Sequence, residues 1–243
     1  VIGETRVLKS EILNEDRTLN IYLPEGFDKQ KSYPVIYLLD GSANEDFLHI
    51  VGLVQFYKMQ YTMPDFLVVG IANVDRKRDF TFHTDLADLK KDYPATGHSA
   101  KFIDFVEKEL QPFVNKTYKT SETKYIIGQS LGGLLATEIL LKKPSLFTHY
   151  FIVSPSLWWD NESLLRQANK LLDAQKKMNQ YVYLSVGMEE HKMMVKEAQE
   201  IAKILQAKEN MKVDFFPMEK ENHASILHLS ISEAFRKLYP LKY

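Results

Sequence analysis

The pattern that points most directly to chemistry is Gly-x-Ser-x-Gly at residues 128–132, with Ser130 at its centre. It follows an apolar run at residues 125–127 and precedes a helix-forming stretch at residues 134–140. A sharp turn from a buried strand into a helix exposes such a serine as a nucleophile, and the tight turn favours flanking residues without a Cβ. The sequence therefore predicts Ser130 as a nucleophile. The alternative is a glycine turn in which Ser130 only caps the helix.

A serine hydroxyl needs a base that accepts its proton, and histidine is a common one. Two of the seven histidines, His223 and His228, follow the last predicted strand at residues 213–216. His223 lies in the loop directly after that strand, at the sheet edge where Ser130 is expected, whereas His228 falls inside the next helix. We predict His223 as the base. Its alternative role is that of a surface histidine that caps the helix.

A carboxylate is expected to orient this histidine and to stabilise its charged form. It should follow the preceding strand, predicted at residues 181–186, where Glu189 and Glu190 are both available. The pattern leaves both open, because either could instead be a charge at the start of the helix that begins near Lys192. His191 stands beside them without a second cluster of ligands, and the sequence has no His-Glu-x-x-His pattern. We therefore expect neither a metal nor any other cofactor.

Two backbone amides are expected to stabilise the oxyanion of a tetrahedral intermediate. One is the amide of Leu131, directly after the nucleophile, and the other comes from the loop after the third strand. That loop begins where Asp40, Gly41 and Ser42 interrupt the apolar run at residues 33–39. The amide of Ser42 is our first choice and that of Gly41 the second. The alternative is a plain turn in which Asp40 caps a helix over residues 45–60.

The elements that must position these residues alternate between strands and helices. Two short strands, residues 6–13 and 18–23, flank a polar turn and predict an antiparallel hairpin at a sheet edge. Six further apolar runs are typical of strands buried in a parallel sheet: residues 33–39, 66–72, 124–127, 150–153, 181–186 and 213–216. The pattern predicts one α/β domain over residues 1–243, with a mostly parallel eight-stranded sheet covered by helices on both faces.

Residues 73–98 depart from this alternation, because they are polar and show little strand or helix pattern. Loops of this length in a compact domain are usually functional or disordered. We expect the segment to lie over the carboxyl ends of the strands, where ligands bind in open α/β sheets.

The composition excludes several classes of protein and of site. A net charge of −1 argues against a nucleic-acid or membrane-surface partner, and the absence of cysteine excludes disulfides and thiolate sites. The longest apolar run, residues 66–72, is too short to cross a bilayer. Val1 is followed by no leader-like segment, which predicts a trimmed mature form or a chain cut at a domain edge. The periplasm or the cell exterior is favoured over the cytoplasm, and the oligomeric state is not readable.

Five segments, the serine pattern among them, resemble the "Putative esterase" (esterase D-like) family of the α/β-hydrolases, and within it the siderophore trilactone hydrolase-like group. They are residues 37–41 (Tyr-Leu-Leu-Asp-Gly), 76–81 (Arg-Lys-Arg-Asp-Phe-Thr), 128–133 (Gly-Gln-Ser-Leu-Gly-Gly), 154–159 (Ser-Pro-Ser-Leu-Trp-Trp) and 221–225 (Glu-Asn-His-Ala-Ser). The resemblance implies an α/β-hydrolase fold. It also implies a small-molecule partner, a carboxylic ester: a siderophore lactone, a feruloyl or acetyl sugar ester, or a small acyl ester.

The same resemblance favours Glu190 as the acid, since the acid of esterase D-like enzymes stands three residues after the glycine that ends its strand. Glu189 is held in reserve, and some siderophore hydrolases of this group resemble a Ser-His dyad. The alternative functions are an acyltransferase on the same fold and a non-catalytic ligand-binding protein.

Four residues are expected to line the substrate pocket: Arg76, Arg78, Trp158 and Trp159. Arginine would hold an anionic or catecholate group, and tryptophan would stack on an aromatic acyl part or a sugar. The alternatives are a salt bridge from Arg78 to Asp79 that orders the long loop, and a tryptophan packed in the core.

Overall fold

The structure, a computed structural model, describes residues 2–175 and 178–241. Its centre is a sheet of eight strands: β1 Gly3–Ser10, β2 Glu15–Tyr22, β3 Tyr33–Leu38, β4 Leu67–Ile71, β5 Thr120–Gln129, β6 His149–Val153, β7 Tyr181–Gly187 and β8 Lys212–Met218. They are ordered β1-β2-β4-β3-β5-β6-β7-β8. The pairs β1–β2 and β2–β4 are antiparallel, and the other five pairs are parallel.

The α-helices of the described residues lie between and after the strands. They are α1 Phe47–Met59, α2 Arg76–Phe80, α3 Ala87–Asp92, α4 Ser99–Phe105, α5 Gln111–Tyr118, α6 Leu131–Lys142, α7 Trp159–Asp173, α8 Lys192–Gln206 and α9 Ile226–Leu238. A π-helical turn, Val106–Leu110, joins α4 to α5. None of the helices described is long and apolar enough to span a bilayer.

Helices cover both faces of the sheet. The side chains of each strand alternate between the two faces, so a strand with apolar residues throughout contributes to a buried cluster on each face. In β3, Ile36 and Leu38 pack in a buried cluster with residues of α1 and α9. Val35 and Tyr37 pack in a second buried cluster with residues of α4 to α8. The fold is therefore the predicted α/β-hydrolase type, with a mostly parallel sheet buried on both faces.

The edge hairpin is in the predicted place, but its turn is not. The turn occupies residues 11–14 instead of residues 14–17, so β2 begins at Glu15. Arg17 lies inside β2 with a side chain that is 1% exposed, and it pairs with Glu15 and Asp79. The sequence prediction was wrong here because these charged residues form a buried ion-pair network rather than a solvated turn.

The long polar segment has more structure than its sequence pattern indicated. It contains α2 and α3, and a bridge between Phe82 and His98 closes it. Asp75 caps α2 by accepting a hydrogen bond from the Arg78 amide at 3.0 Å. These helices have only five and six residues, which is too short to display a helical period in the sequence.

Candidate active site

Ser130 occupies a strained turn between β5 and α6. Its backbone has φ 60° and ψ −119°, a region that residues with a Cβ rarely occupy. The neighbouring backbone holds it there. The Ser130 amide donates to Val153 O at 3.1 Å, and the Ser130 carbonyl accepts from the amides of Leu134 at 2.9 Å and Ser156 at 3.0 Å. Such strain persists only where the surroundings fix it, and it is common at functional sites.

The glycines around Ser130 have different reasons to be glycine. A Cβ on Gly128 would lie 2.3 Å from the carbonyl oxygen of Gly132, so no side chain fits there. A Cβ on Gly132 would meet Asp40 Oδ2 at 3.4 Å, an ordinary contact. The steric expectation therefore holds for Gly128 and not for Gly132.

Glu190 and His223 form a hydrogen-bonded pair across the loops that follow β7 and β8. His223 Nδ1 lies 2.7 Å from Glu190 Oε2. Glu190 Oε1 accepts a second hydrogen bond from the Gly187 amide at 2.9 Å and a third from Ser154 Oγ. Glu189, by contrast, is exposed. Of the two carboxylates that the sequence left open, the structure brings Glu190 to the histidine.

The environment of Glu190 keeps it ionised. Its side chain is 1% exposed, and this burial by itself raises the pKa of the carboxyl group. The hydrogen bonds from His223, Ser154 and the Gly187 amide outweigh the burial and hold the pKa below its ordinary value. A charged carboxylate therefore faces His223 Nδ1.

Ser130 and His223 line the same open cavity, which has a volume of about 350 Å³. Gln129 ties the two sides together, because its Nε2 donates to the carbonyl oxygen of His223 at 2.5 Å. No hydrogen bond joins Ser130 Oγ to the His223 ring in the part of the chain that the structure describes; Ser130 Oγ lies 3.3 Å from Ser156 Oγ. Catalytic hydrogen bonds of this kind often tighten only when substrate binds.

The candidate oxyanion donors differ in availability. The amide of Gly41 donates to Ile71 O at 3.0 Å and is therefore engaged in the backbone. Among residues 2–175 and 178–241, no acceptor is bonded to the amides of Leu131 and Ser42. Neither Leu131 nor Ser42 is among the residues that line the cavity, but Leu131 directly follows Ser130, which does line it. The amide of Ser42 stays a prediction as the second donor, and Gly41 is excluded in this conformation.

The cavity has a charged wall, formed by Asp40, Glu45, Asp46 and Arg76. Arg76 makes a bidentate ion pair with Asp40, with Nε–Oδ1 at 2.6 Å and Nη2–Oδ2 at 2.9 Å. Glu45 and Asp46 also line this wall. Burial, together with the charges of Asp40 and Glu45, raises the pKa of Asp46 to about 7, although Arg76 acts in the opposite direction. The negative charge on this wall therefore exceeds what Arg76 neutralises.

Comparison with known proteins places this geometry in a family. The sequence profile of the esterase family described as "Putative esterase" matches residues 10–226. The chain belongs to this family. The ferri-bacillibactin esterase BesA of Bacillus subtilis is 29% identical to the chain, over 96% of the chain and 88% of its own length.

Two solved structures share the fold over nearly the whole esterase. An IroE-like serine hydrolase of Shewanella oneidensis superposes with a TM-score of 0.89 at 28% identity, over 98% of this chain and 80% of that one. The BES protein of Bacillus cereus superposes with a TM-score of 0.87 at 30% identity, over 98% of this chain and 94% of that one. The chain is thus a carboxylic ester hydrolase with an α/β-hydrolase fold.

Two of the four predicted pocket residues of this esterase do not line the cavity around Ser130. Trp159 is fully buried, and its Nε1 donates to Phe82 O at 2.9 Å, so it belongs to the core. Arg78 pairs with Asp79 and Glu15, each at 2.7 Å, and fastens α2 to β2. The structure contradicts the pocket role for both, because tertiary packing turns these side chains away from the cavity.

The other two predicted pocket residues have different outcomes. Arg76 lines the cavity, although its guanidinium is already paired with Asp40. Trp158 is partly buried, and its ring lies 6.3 Å from that of Tyr93, on a surface that does not line the cavity around Ser130. A pocket role for Trp158 stays a prediction.

Sequence reasoning missed several residues that the structure brings to the site. Ser154 and Ser156 contact Glu190 and Ser130, and Asp46 and Gln129 line the cavity. The two serines lie in the segment Ser-Pro-Ser-Leu-Trp-Trp, which contributes to the family resemblance but from which only the two tryptophans were predicted to have a role in the site. The signal was therefore present, but it was assigned to the wrong side chains.

Proposed function

We propose that this esterase acts through a covalent acyl-enzyme on Ser130, with His223 as general base and general acid and Glu190 as the acid that orients it. One observation carries the proposal. A serine on a strained turn and a histidine bonded to a buried, charged carboxylate line one cavity. This is the constellation by which a hydroxyl is activated for acyl transfer.

The geometry defines the role of each group. Because Glu190 accepts from His223 Nδ1, the neutral ring has Nε2 free to take the proton of Ser130. Ser130 Oγ then forms a bond to the ester carbonyl carbon, and the carbonyl oxygen becomes an oxyanion that accepts from the Leu131 amide. The alkoxide leaves with the proton from His223. Water attacks the acyl-enzyme by the same route, releasing the acid and restoring Ser130.

Hydrolysis is favoured over transfer to another alcohol by the exposure of the base. The His223 side chain is 43% exposed, and the cavity is open to solvent, so water reaches the acyl-enzyme from the side of its base. An acyltransferase of this fold would have to exclude water from that position.

A siderophore ester is the substrate class that the relatives support best. BesA, which matches almost the full length of the chain, is named for hydrolysis of ferri-bacillibactin. The open cavity accommodates an ester carried on a bulky molecule. Feruloyl or acetyl sugar esters and small acyl esters are the alternatives within the same chemistry.

A panel of esters tests the proposal. It should contain a catecholate trilactone, feruloyl and acetyl sugars, and p-nitrophenyl acetate, each assayed with the wild type and with Ser130→Ala. We expect fastest turnover of the trilactone and none with the variant, and we expect a fluorophosphonate to label Ser130 by peptide mass. Labelling at another residue, or equal turnover by Ser130→Ala, would overturn the mechanism. Preferred turnover of a sugar ester would overturn only the substrate class.

A further inference from the structure

A single turn, residues 154–156, lies between the proposed nucleophile and the proposed acid. It connects β6 to α7, and its two serines are buried, Ser154 at 0% and Ser156 at 2% exposure. We propose that the hydroxyls of Ser154 and Ser156 are positioning groups for the reaction: Ser154 fixes the carboxylate of Glu190, and Ser156 fixes the hydroxyl of Ser130. This inference rests on the proposed function, because it assigns partners to that triad.

Ser154 completes the hydrogen bonding of Glu190. Its Oγ and the Gly187 amide both bond to Oε1, so Oε2 is left for His223. The backbone of Ser154 has φ 42°, in the left-handed region that favours glycine, and its amide donates to Ser185 O at 2.9 Å. This backbone conformation sets the direction of the Ser154 side chain. A serine at a position that favours glycine indicates that its hydroxyl has a role.

Ser156 contacts the nucleophile with two groups. Its amide donates to Ser130 O at 3.0 Å, and its Oγ lies 3.3 Å from Ser130 Oγ. When Ser156 is the donor in the second contact, the proton of Ser130 is free for His223. The same donor then stabilises the negative charge that develops on Ser130 Oγ as the proton leaves.

The turn is itself held against the helix that follows the nucleophile. A Cβ on Gly133 would lie 2.9 Å from Pro155 Cα, so α6 and the turn approach as closely as a glycine permits. The contact with α6 and the hydrogen bonds of the two serines therefore both restrict movement of Ser154 or Ser156 relative to Ser130. Positional precision of this kind is what pairs of catalytic groups require.

The competing explanation is that Ser154 is needed only for the shape of the backbone. Two variants separate the explanations, because Ser154→Gly suits φ 42° and lacks the hydroxyl, whereas Ser154→Ala lacks the hydroxyl and keeps the strain. If the hydroxyl matters, both variants lose about tenfold in kcat with p-nitrophenyl acetate, the size expected for a hydrogen bond to a charged group, while KM stays unchanged. Full activity of Ser154→Gly beside a defective Ser154→Ala would overturn the role of the hydroxyl.

A double-mutant cycle shows whether Ser154 acts through Glu190. In a Glu190→Gln background, Ser154→Gly should cost little further activity, because the carboxylate that it positions is already gone. Ser154→Gly alone should also move the acidic limb of the kcat/KM profile to higher pH. The reason is that a carboxylate with one donor fewer stabilises the protonated His223 more strongly. Additive losses and an unmoved profile would overturn the inference.

Ser156→Ala tests the second half of the turn. We expect a loss of about fivefold in kcat, the size expected for one ordinary hydrogen bond, with slower labelling of Ser130 by a fluorophosphonate. An unchanged labelling rate would overturn the role assigned to Ser156.

Ser230→Ala is the matched control for all these variants. Ser230 is fully buried and its Oγ lies 2.5 Å from Ser185 Oγ, but it contacts neither Ser130 nor Glu190. Ser230→Ala should lower Tm about as much as the Ser154 and Ser156 variants do, while kcat and the pH profile stay at wild-type values. Absence of ester turnover in the wild type would overturn the proposed function and this inference together. Turnover in the wild type with additive or absent losses would overturn the inference alone.

Discussion

Two carboxylates near the cavity around Ser130 are both partly or fully buried, yet their pKa values shift in opposite directions. Glu190, beside His223, has a side chain that is 1% exposed and a pKa below its ordinary value. Asp46, on the charged wall of the cavity, has a side chain that is 25% exposed and a pKa raised to about 7. The less exposed group is the one that ionises more readily, so burial alone does not set the order of the two pKa values.

The groups around each carboxylate decide which of the two pKa values is lower. Glu190 receives hydrogen bonds from His223, Ser154 and the Gly187 amide, and these favour its charged form. For Asp46, burial is the largest cause of the raised pKa, and the carboxylates of Asp40 and Glu45 add to it instead of opposing it. His223 therefore has a partner with a permanent charge, whereas the charged wall gains a negative charge near neutral pH.

Removal of the Ser130 hydroxyl or the His223 ring has the largest expected effect on activity. Ser130→Ala and His223→Ala should each lower kcat by about 10⁴-fold or more, and the double variant should lose hardly more than either one, because the two residues act as a unit. Steady-state kinetics with p-nitrophenyl acetate measures this. Losses that multiply in the double variant would show that the two residues act independently.

Removal of the Glu190 charge beside His223 should have the next largest effect on activity. Glu190→Gln should lower kcat by about 10²-fold to 10⁴-fold, since the amide no longer stabilises the protonated histidine. Glu189→Gln is the matched control, one position away and exposed, and should retain wild-type turnover. The reverse result would identify Glu189 as the acid.

Removal of the Asp46 charge from the charged wall should change substrate selectivity rather than the chemical step. As the pH rises through about 7, Asp46 ionises and the wall repels anionic esters. The ratio of kcat/KM for an anionic ester to that for a neutral ester of the same acyl group should fall several-fold between pH 6 and pH 8, on the order expected for one charge near a protein surface. Asp46→Asn should abolish this fall. The other charged or titratable groups facing Asp46 are Asp40, Glu45, Arg76 and His49, so a fall that persists in the variant would assign it to one of them.

The smallest expected effect is on stability. Because the pKa of Asp46 is raised above its unfolded value of 3.8, ionisation costs the folded state, and stability falls as the pH rises from about 4 to about 7. Asp46→Asn should therefore raise the free energy of unfolding by about 1 kcal/mol at pH 8, after allowance for solvent screening, and by less at pH 5. Urea unfolding at the two pH values measures this, and an equal effect at both would exclude the linkage.

The sequence predicted those parts of the site that depend on chain order and local pattern. Ser130 is recognisable because the turn needs glycine at 128, and His223 because it follows the last strand. The choice between Glu189 and Glu190 needed the resemblance to a family, since adjacent residues in a loop have no distinguishing period. Arg78 and Trp159 were misplaced because packing beneath the long loop sets their directions. The properties of Ser154 and Asp46 depend on neighbours distant in the chain, which no local pattern contains.

The bond from Gln129 Nε2 to the carbonyl oxygen of His223 spans 94 positions of the chain. During translation the strained turn with Ser130 therefore emerges from the ribosome long before the histidine that would activate it. A chain truncated between Ser156 and His223 would carry the three residues that bond to the Ser130 backbone, Leu134, Val153 and Ser156, and yet lack the proposed base. Appearance of ester turnover in a cell-free synthesis reaction would thus mark the moment at which the segment that carries His223 has been made and has packed against the loop of Ser130.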